Sequence, residues 1–284
     1  MSKVAIVIDS TSYIPKEYLA RYNITLVPQV LIWGQETFED GVDIQPDEFY
    51  RRLATAKVMP TTSQVSVTSF QKAFSGLLEQ GYDVLAIIVS SKLSGTLQSA
   101  IQARELLTEG KEKVEIVDSL SAAMAMGFQA IAAARAATDG ASLAECKALA
   151  EKARLYTGVY FVVDTLEFLH RGGRIGGAQR FLGTALNLKP ILALHDGKVE
   201  PIERIRTKRK AMDRLVEIIA EQCAGKVPVR LATLHANAHD DAQEILDSAC
   251  QVLNVTEKIF TEVSPVVGAH TGPGTIGLAY MAGM

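Results

Sequence analysis

Three short stretches constrain the fold more than anything else in the chain: "KVAIVID" (Lys3 to Asp9), "DVLAIIVS" (Asp83 to Ser90) and "KVEIVDS" (Lys113 to Ser119). Each is a short, nearly continuous run of apolar, β-branched residues, the pattern of strands buried on both faces of a parallel sheet. Between the second and the third, Leu97, Ala100, Ile101 and Leu106 recur at roughly helical spacing, so strand, helix and strand follow one another. A doubly wound parallel α/β sheet is predicted. Each strand runs into a polar cluster: "DSTS", "SSKLSGT" and "DSLSAAMAMG". In open parallel sheets ligands sit at the carboxyl ends of the strands, where helix N-termini offer unpaired amides. The clusters are therefore expected to converge on one edge.

A chain of 284 residues, 48% hydrophobic and 21% charged, has apolar material for two cores and no compositional sign of disorder. Asn23 to Phe49 alternates apolar stretches with Gly, Pro and Asp, which predicts a small extended or hairpin excursion. An alanine-rich segment, Ser121 to Ala137, and a helix from Ser142 to Leu155 close the first half. Ser142 is a good N-cap with Glu145 three residues on. The expected division is an N-terminal domain of residues 1–156 and a C-terminal α/β domain of 157–284. The second half reads as a strand, a helix, the glycine-rich "RGGRIGG", another helix and a strand, then further strands around a helix from Lys208 to Cys223.

Several classes are disfavoured. A net charge of -3 provides no basic field for nucleic acid, and the one cationic run, "RIRTKRK" (Arg204 to Lys210), reads as a solvated helix start. Three widely spaced cysteines fit a reducing compartment and neither a disulfide framework nor a zinc site, so the cytoplasm is expected. The N-terminus reads as a strand and not as a signal peptide. No apolar run reaches the ~18 residues of a membrane span, so a soluble protein is expected.

Nucleotide and nucleophile signatures fail as well. There is no P-loop, "GGRIGG" is not G-x-G-x-x-G, and no G-x-S-x-G elbow surrounds Ser94, although Ser94, His270 and Asp9 supply the residue types of a triad. "HANAH" (His235 to His239) lacks a glutamate partner and follows a strand, so no metal is predicted. "TTSQVS" (Thr61 to Ser66) and "SKLSGT" with Ser94 each read singly as helix N-caps. As a pair of hydroxyl clusters at helix N-termini, neither containing an acid, they suit a pocket for an anion. In "RGGRIGG" the first glycine is a natural C-cap, and the arginines could reach a carboxylate or phosphate with forked donors. Near the end, "VGAHTGPGTIGLAY" reads as a glycine- and threonine-rich loop whose single histidine, His270, suits an acid head group in either protonation state.

Taken in order, "VAIVIDSTS", "TTSQVS", "SSKLSGTLQSA", "VDSLSAAMAMG", "VDTLEFLHRGGRIGG", "NLKPIL", "ERIRTKRKA" and "GAHTGPGTIGLAY" resemble the DegV family over essentially the whole chain. The resemblance implies two α/β domains with a ligand tunnel between them that encloses one long-chain fatty acid, and no cofactor. It further implies a non-catalytic, lipid-presenting subunit of bacterial fatty acid kinase. A separate kinase subunit would phosphorylate the bound acid with ATP, acyltransferases would use the acyl phosphate for phospholipid synthesis, and the protein would touch membrane surfaces transiently. Carried over by motif, the head-group contacts are Thr62, Ser94 and His270, with Ser63, Gly95 and Thr271 beside them. Arg174 and Arg206 are assigned to the kinase encounter or to support of the site. Val65 departs from the family's usual proline after T-S-Q, which bears on the local loop shape. The rival readings are a serine hydrolase using Ser94 and His270, and a carrier of another amphiphilic acid such as a retinoid or isoprenoid acid.

Overall fold

The computed structural model of the protein describes residues 3–182 and 188–284. The first half runs β1 (Lys3–Asp9), α1 (Lys16–Arg21), β2 (Ile24–Val27), β3 (Val30–Trp33), β4 (Glu36–Glu39), α2 (Pro46–Leu53), β5 (Thr61–Ser63), α3 (Val67–Glu79), β6 (Tyr82–Ile88), α4 (Thr96–Glu105), β7 (Val114–Asp118), α5 (Ala123–Thr138) and α6 (Leu143–Ala153). Its main sheet is parallel throughout, in the order β2-β1-β6-β7. The continuous apolar runs have the expected cause: Ile6, Val7, Ile8, Leu85, Ile87 and Ile88 are all buried. Each such side chain stabilises the fold by roughly 1.5–3 kcal/mol on leaving water.

The excursion is more than a hairpin. Its first segment, β2, is the edge strand of the parallel sheet, and β3 and β4 then join β5 in a small antiparallel sheet ordered β4-β3-β5. The alternation of apolar stretches with turn residues marked an extended region, but which sheet each piece joins depends on long-range pairing. α6 carries the reciprocal capping box between Ser142 and Glu145 that the sequence announces.

The second half contains β8 (Thr157–Val162), α7 (Glu167–Arg171), β9 (Lys189–His195), β10 (Lys198–Ile205), α8 (Lys208–Cys223), β11 (Val229–His235), α9 (His239–Val252), β12 (Val255–Ile259), α10 (Pro265–Thr271) and β13 (Ile276–Ala282). These strands form a second sheet in the order β10-β9-β8-β13-β11-β12, antiparallel except for β11 with β12. After the glycines comes a 3-10 segment, Gly176–Phe181, where an α-helix is predicted. Asn187 of the "NLKPIL" motif lies outside the described residues.

α5 explains why the alanine-rich segment is needed. It packs on β1 and β6 of the first sheet and on β8, β13 and β11 of the second, so it is shared by both halves. Eleven of its residues are buried, and small side chains let two sheets approach one helix. One continuous apolar cluster accordingly runs from Val4 to Met281, and a second lies under α8 and α9.

A polar lock joins the halves at the far end of α5. Glu257 on β12 accepts two hydrogen bonds from Arg135 at 2.7 and 2.9 Å and one from Tyr18 at 2.9 Å, and pairs with Arg230 at 3.1 Å. Glu257→Ala would leave both half-buried guanidinium groups without their shared acceptor. It is expected to destabilise the fold by about 1–3 kcal/mol. Urea denaturation should show the lowered midpoint at an unchanged slope.

Candidate functional site

A cavity opens where the carboxyl ends of the first sheet face the second. Its walls are mainly apolar and come from both halves, with Val89 and Ala122 from one and Val159, Phe161, Val199 and Leu234 from the other.

Polar groups enter this wall at a few points. Thr62, Ser63, Ser94, Arg174, His270 and Thr271 all line the cavity. Thr62 sits mid-strand on β5, paired with Leu31 of β3, and is no N-cap; that role in "TTSQVS" belongs to Ser66, whose side chain accepts from the Ser69 amide. Ser94 precedes α4, where its hydroxyl contacts Thr96 Oγ1 at 2.8 Å and accepts from the Thr96 amide at 3.3 Å. Gly95, the N-cap of α4, and Arg206, exposed just after β10, do not line the cavity. The cationic run opens α8 instead, with Lys208 paired to Asp241.

The expected terminal loop is largely helix. Val267 to Thr271 belong to α10, because Pro265 at its first turn and Gly272 after its end supply start and stop signals that the glycines of the motif obscure. Gly272, at φ 77° and ψ 165°, takes an extended positive-φ conformation, open to glycine, that ends the helix. His270 thus stands on the last turn of a helix, where its Nε2 lies 2.8 Å from Thr62 Oγ1, a contact across 208 residues of chain.

The imidazole is held neutral. Burial first, and then the positive charge of Arg174, push its pKa down to about 4. Nδ1 is buried without a partner. A buried donor without an acceptor is costlier than an acceptor without a donor, so the proton is assigned to Nε2, which donates to Thr62 Oγ1. The hydroxyl hydrogen of Thr62 is then left to donate elsewhere. Arg174 lies alongside, with Nε donating to the Leu93 carbonyl at 3.0 Å and Nη1 to that of Gly172 at 2.7 Å.

Gly172 is the C-cap of α7, as expected, but its backbone is right-handed. The reason for glycine there is space: a Cβ would stand 2.0 Å from His270 Nδ1. Spacing along the chain gives no sign of this contact. Thr11 of the "DSTS" cluster lines the wall at the expected strand edge, whereas Tyr13, Gln29 and Gln64 in the wall were not singled out from the sequence. Gln64, within "TTSQVS", donates to Ser99 Oγ at 2.7 Å while its amide covers Gly95.

The triad types do not form a triad. His270 is engaged with Thr62 and Ser94 with Thr96, while Asp9 accepts from Thr11, from the Gln29 side chain and from the Val89 amide. Asp9 ties the first strand end to its neighbours. In "HANAH", His235 ends β11 and His239 opens α9, their rings 5.8 Å apart and each against Phe260.

Burial, followed by the neighbouring His239, also lowers the pKa of His235 to about 4. His235 and His270 therefore each contribute stability that is fully present above about pH 6.5 and is lost as pH falls through about 4. Long-range proton–nitrogen NMR should find both rings neutral at pH 5.5, where a free imidazole is mostly protonated. An imidazolium signal for His270 at that pH would contradict the site's electrostatics.

Comparison with known proteins places this geometry. The family model described as DegV matches residues 3–283. A DegV domain-containing protein of Streptomyces coelicolor is 40% identical over 277 residues, 97% of each chain. Among solved structures, a fatty-acid-binding DegV family protein from Thermus thermophilus superposes with a TM-score of 0.92 at 34% identity, covering 99% of both chains. DegV of Bacillus subtilis, described as a fatty acid binding protein, has a TM-score of 0.89 at 31% identity, covering 99% of this chain and 100% of that one. A stearic acid-binding protein from Eubacterium ventriosum has a TM-score of 0.90 at 26% identity, covering 99% and 98%. With a family model and relatives matching along nearly their whole lengths, this chain belongs to the DegV family.

Proposed function

We propose that this protein encloses one long-chain fatty acid in the cavity between its two sheets and presents the carboxyl group to a separate ATP-dependent kinase. The observation that carries the reading is the Thr62–His270 pair at 2.8 Å in the wall of a mainly apolar cavity lined from both halves. An ionised carboxylate buried without donors is prohibitively costly. The Thr62 hydroxyl, freed to donate, and the Ser94 hydroxyl would meet it, with Ser63 and Thr271 alongside and Arg174 supplying positive charge. Along the rest of the chain about 14 methylenes, at ~0.8 kcal/mol each, offer roughly 11 kcal/mol of gross transfer energy before association costs.

In this reading the protein does no bond chemistry of its own. A carboxylate oxygen attacks the terminal phosphorus of ATP held by the kinase, ADP leaves, and acyl phosphate remains bound for acyltransferases of phospholipid synthesis. Arg174 and Arg206 would serve the kinase encounter, and loading would involve brief contact with a membrane surface. Among the described residues no helix is long and apolar enough to cross one. Buried thiols at Cys146 and Cys223 accord with a cytoplasmic setting. The two domains would divide near residue 156.

The test has two stages. Calorimetric titration of delipidated protein with palmitic or oleic acid should give one site per chain. Adding ATP and the kinase subunit to the loaded protein should then give acyl phosphate, trapped by hydroxylamine as the hydroxamate. Absence of binding would overturn the carrier reading, and binding without hydroxamate would overturn the kinase step alone.

A further inference from the structure

α10 places four cavity residues, Val266, Val267, His270 and Thr271, within a single seven-residue helix. A helix this short cannot hold its own position, and its N-cap residue does not help, since Ser264 makes no side-chain capping bond. The cap comes from the other half of the molecule. Asp40, fully buried beside the β3–β4 hairpin, accepts the Val266 amide on Oδ1 at 3.1 Å and the Ser10 hydroxyl on Oδ2 at 2.6 Å. Ser10 in turn accepts the Gln29 amide at 3.1 Å, and the Asp40 amide donates to the Gln29 carbonyl at 2.9 Å. A carboxylate at the first turn of a helix meets both its unpaired amides and the positive end of its dipole. Phe49 and Tyr50 of α2 complete the seat, with Tyr50 Oη donating to the Val263 carbonyl at 3.2 Å.

We propose that Asp40 is the positioning residue of the head-group site: it caps α10 across the domain interface and so sets where His270 stands relative to Thr62. The consequence for ligand rests on the fatty-acid reading above; the effect on His270 does not. Asp40 does not itself line the cavity; its carboxylate acts on the wall through the Val266 amide of α10 and, by way of Ser10, through Gln29. Its charge is held at a cost to folding, since burial raises its pKa to about 6 against the hydrogen-bonding groups of Ser10, Val266 and Ser264, with nearby Asp9 adding to the rise. The titratable groups facing it are Asp9 at the end of β1, itself raised by burial, Tyr13, and Tyr50 on α2. The sign follows: ionised Asp40 contributes less to stability than protonated Asp40, so its stability contribution is lost as pH rises through about 6, while the fully charged cap on α10 exists only above that pH.

The experiment uses the full chain and its Asp40→Asn variant, which keeps an acceptor oxygen for Val266. Asp40→Ala serves as a second variant that keeps none. His270 ring signals are recorded by NMR without ligand, and oleic acid is titrated at pH 7.5 and 5.5. In Asp40→Asn the ring signals should move and oleate should bind about tenfold more weakly at pH 7.5, the equivalent of one hydrogen bond. The loss should be larger in Asp40→Ala. Thermal stability of Asp40→Asn at pH 7.5 should match or exceed wild type, the reverse of what a purely structural acid would give. The wild type should lose affinity between pH 7.5 and 5.5 beyond the change that Asp40→Asn shows from oleate's own titration. Unmoved ring signals in both variants would overturn the proposal. Failure of the wild type to bind oleate would sink the fatty-acid reading, and the ring signals would still decide the role of Asp40.

Discussion

Thr62→Val is expected to weaken fatty-acid binding by roughly 10- to 150-fold, the range for losing a hydrogen bond to a charged group, about 1.5–3 kcal/mol. Valine keeps the branched shape of threonine and favours the strand conformation of β5, so the small sheet should persist. What disappears is the hydroxyl that meets His270 Nε2 at 2.8 Å, and with it the donor assigned to the carboxylate. The variant should also be destabilised by about 1–3 kcal/mol, because a buried imidazole N–H is left without an acceptor. Calorimetry with oleic acid and chemical denaturation measure the two effects separately. Unchanged affinity would remove Thr62 from the head-group site.

Gly172→Ala should be as damaging, for a reason no sequence motif states. A methyl group 2.0 Å from His270 Nδ1 cannot coexist with the ring, which must swing away from Thr62. Overpacking of this kind typically costs about 1–3 kcal/mol. The backbone at Gly172 is right-handed and tolerates alanine, so the damage should act through His270 alone. A double-mutant cycle makes this decisive. With His270→Ala already in place the clash partner is gone, and adding Gly172→Ala should change affinity by no more than about 0.5 kcal/mol. Additive losses would mean that glycine at 172 serves something other than the imidazole.

The contrast between Thr62 and Gly172 shows where the sequence was readable. Local rules carried the parallel sheet, since strands such as Lys3–Asp9 and Tyr82–Ile88 announce burial on both faces by their composition alone, and the capping box at Ser142 announces α6. Local rules also misled. The glycines and threonine around His270 read as a loop, yet Pro265 and the packing of α10 against α2 and α7 make it a helix. Thr62, Ser94 and His270 were legible because their motifs resemble a family. Gln64, Tyr13, Asp40 and the purpose of Gly172 were not, since each depends on a partner tens to hundreds of residues away and on which sheet the excursion joins. The shared role of α5 belongs to the same class: alanine content shows that something packs closely, and only the tertiary fold shows that two sheets do so.

The most direct test of the account is native mass spectrometry of the freshly purified protein, followed by denaturing extraction of whatever is released. A single stoichiometric adduct that proves on extraction to be a long-chain fatty acid, displaced from the Thr62→Val variant, is the predicted result. A clean protein mass that stays unchanged after incubation with palmitic and oleic acid would contradict the claim that this cavity is built to hold one.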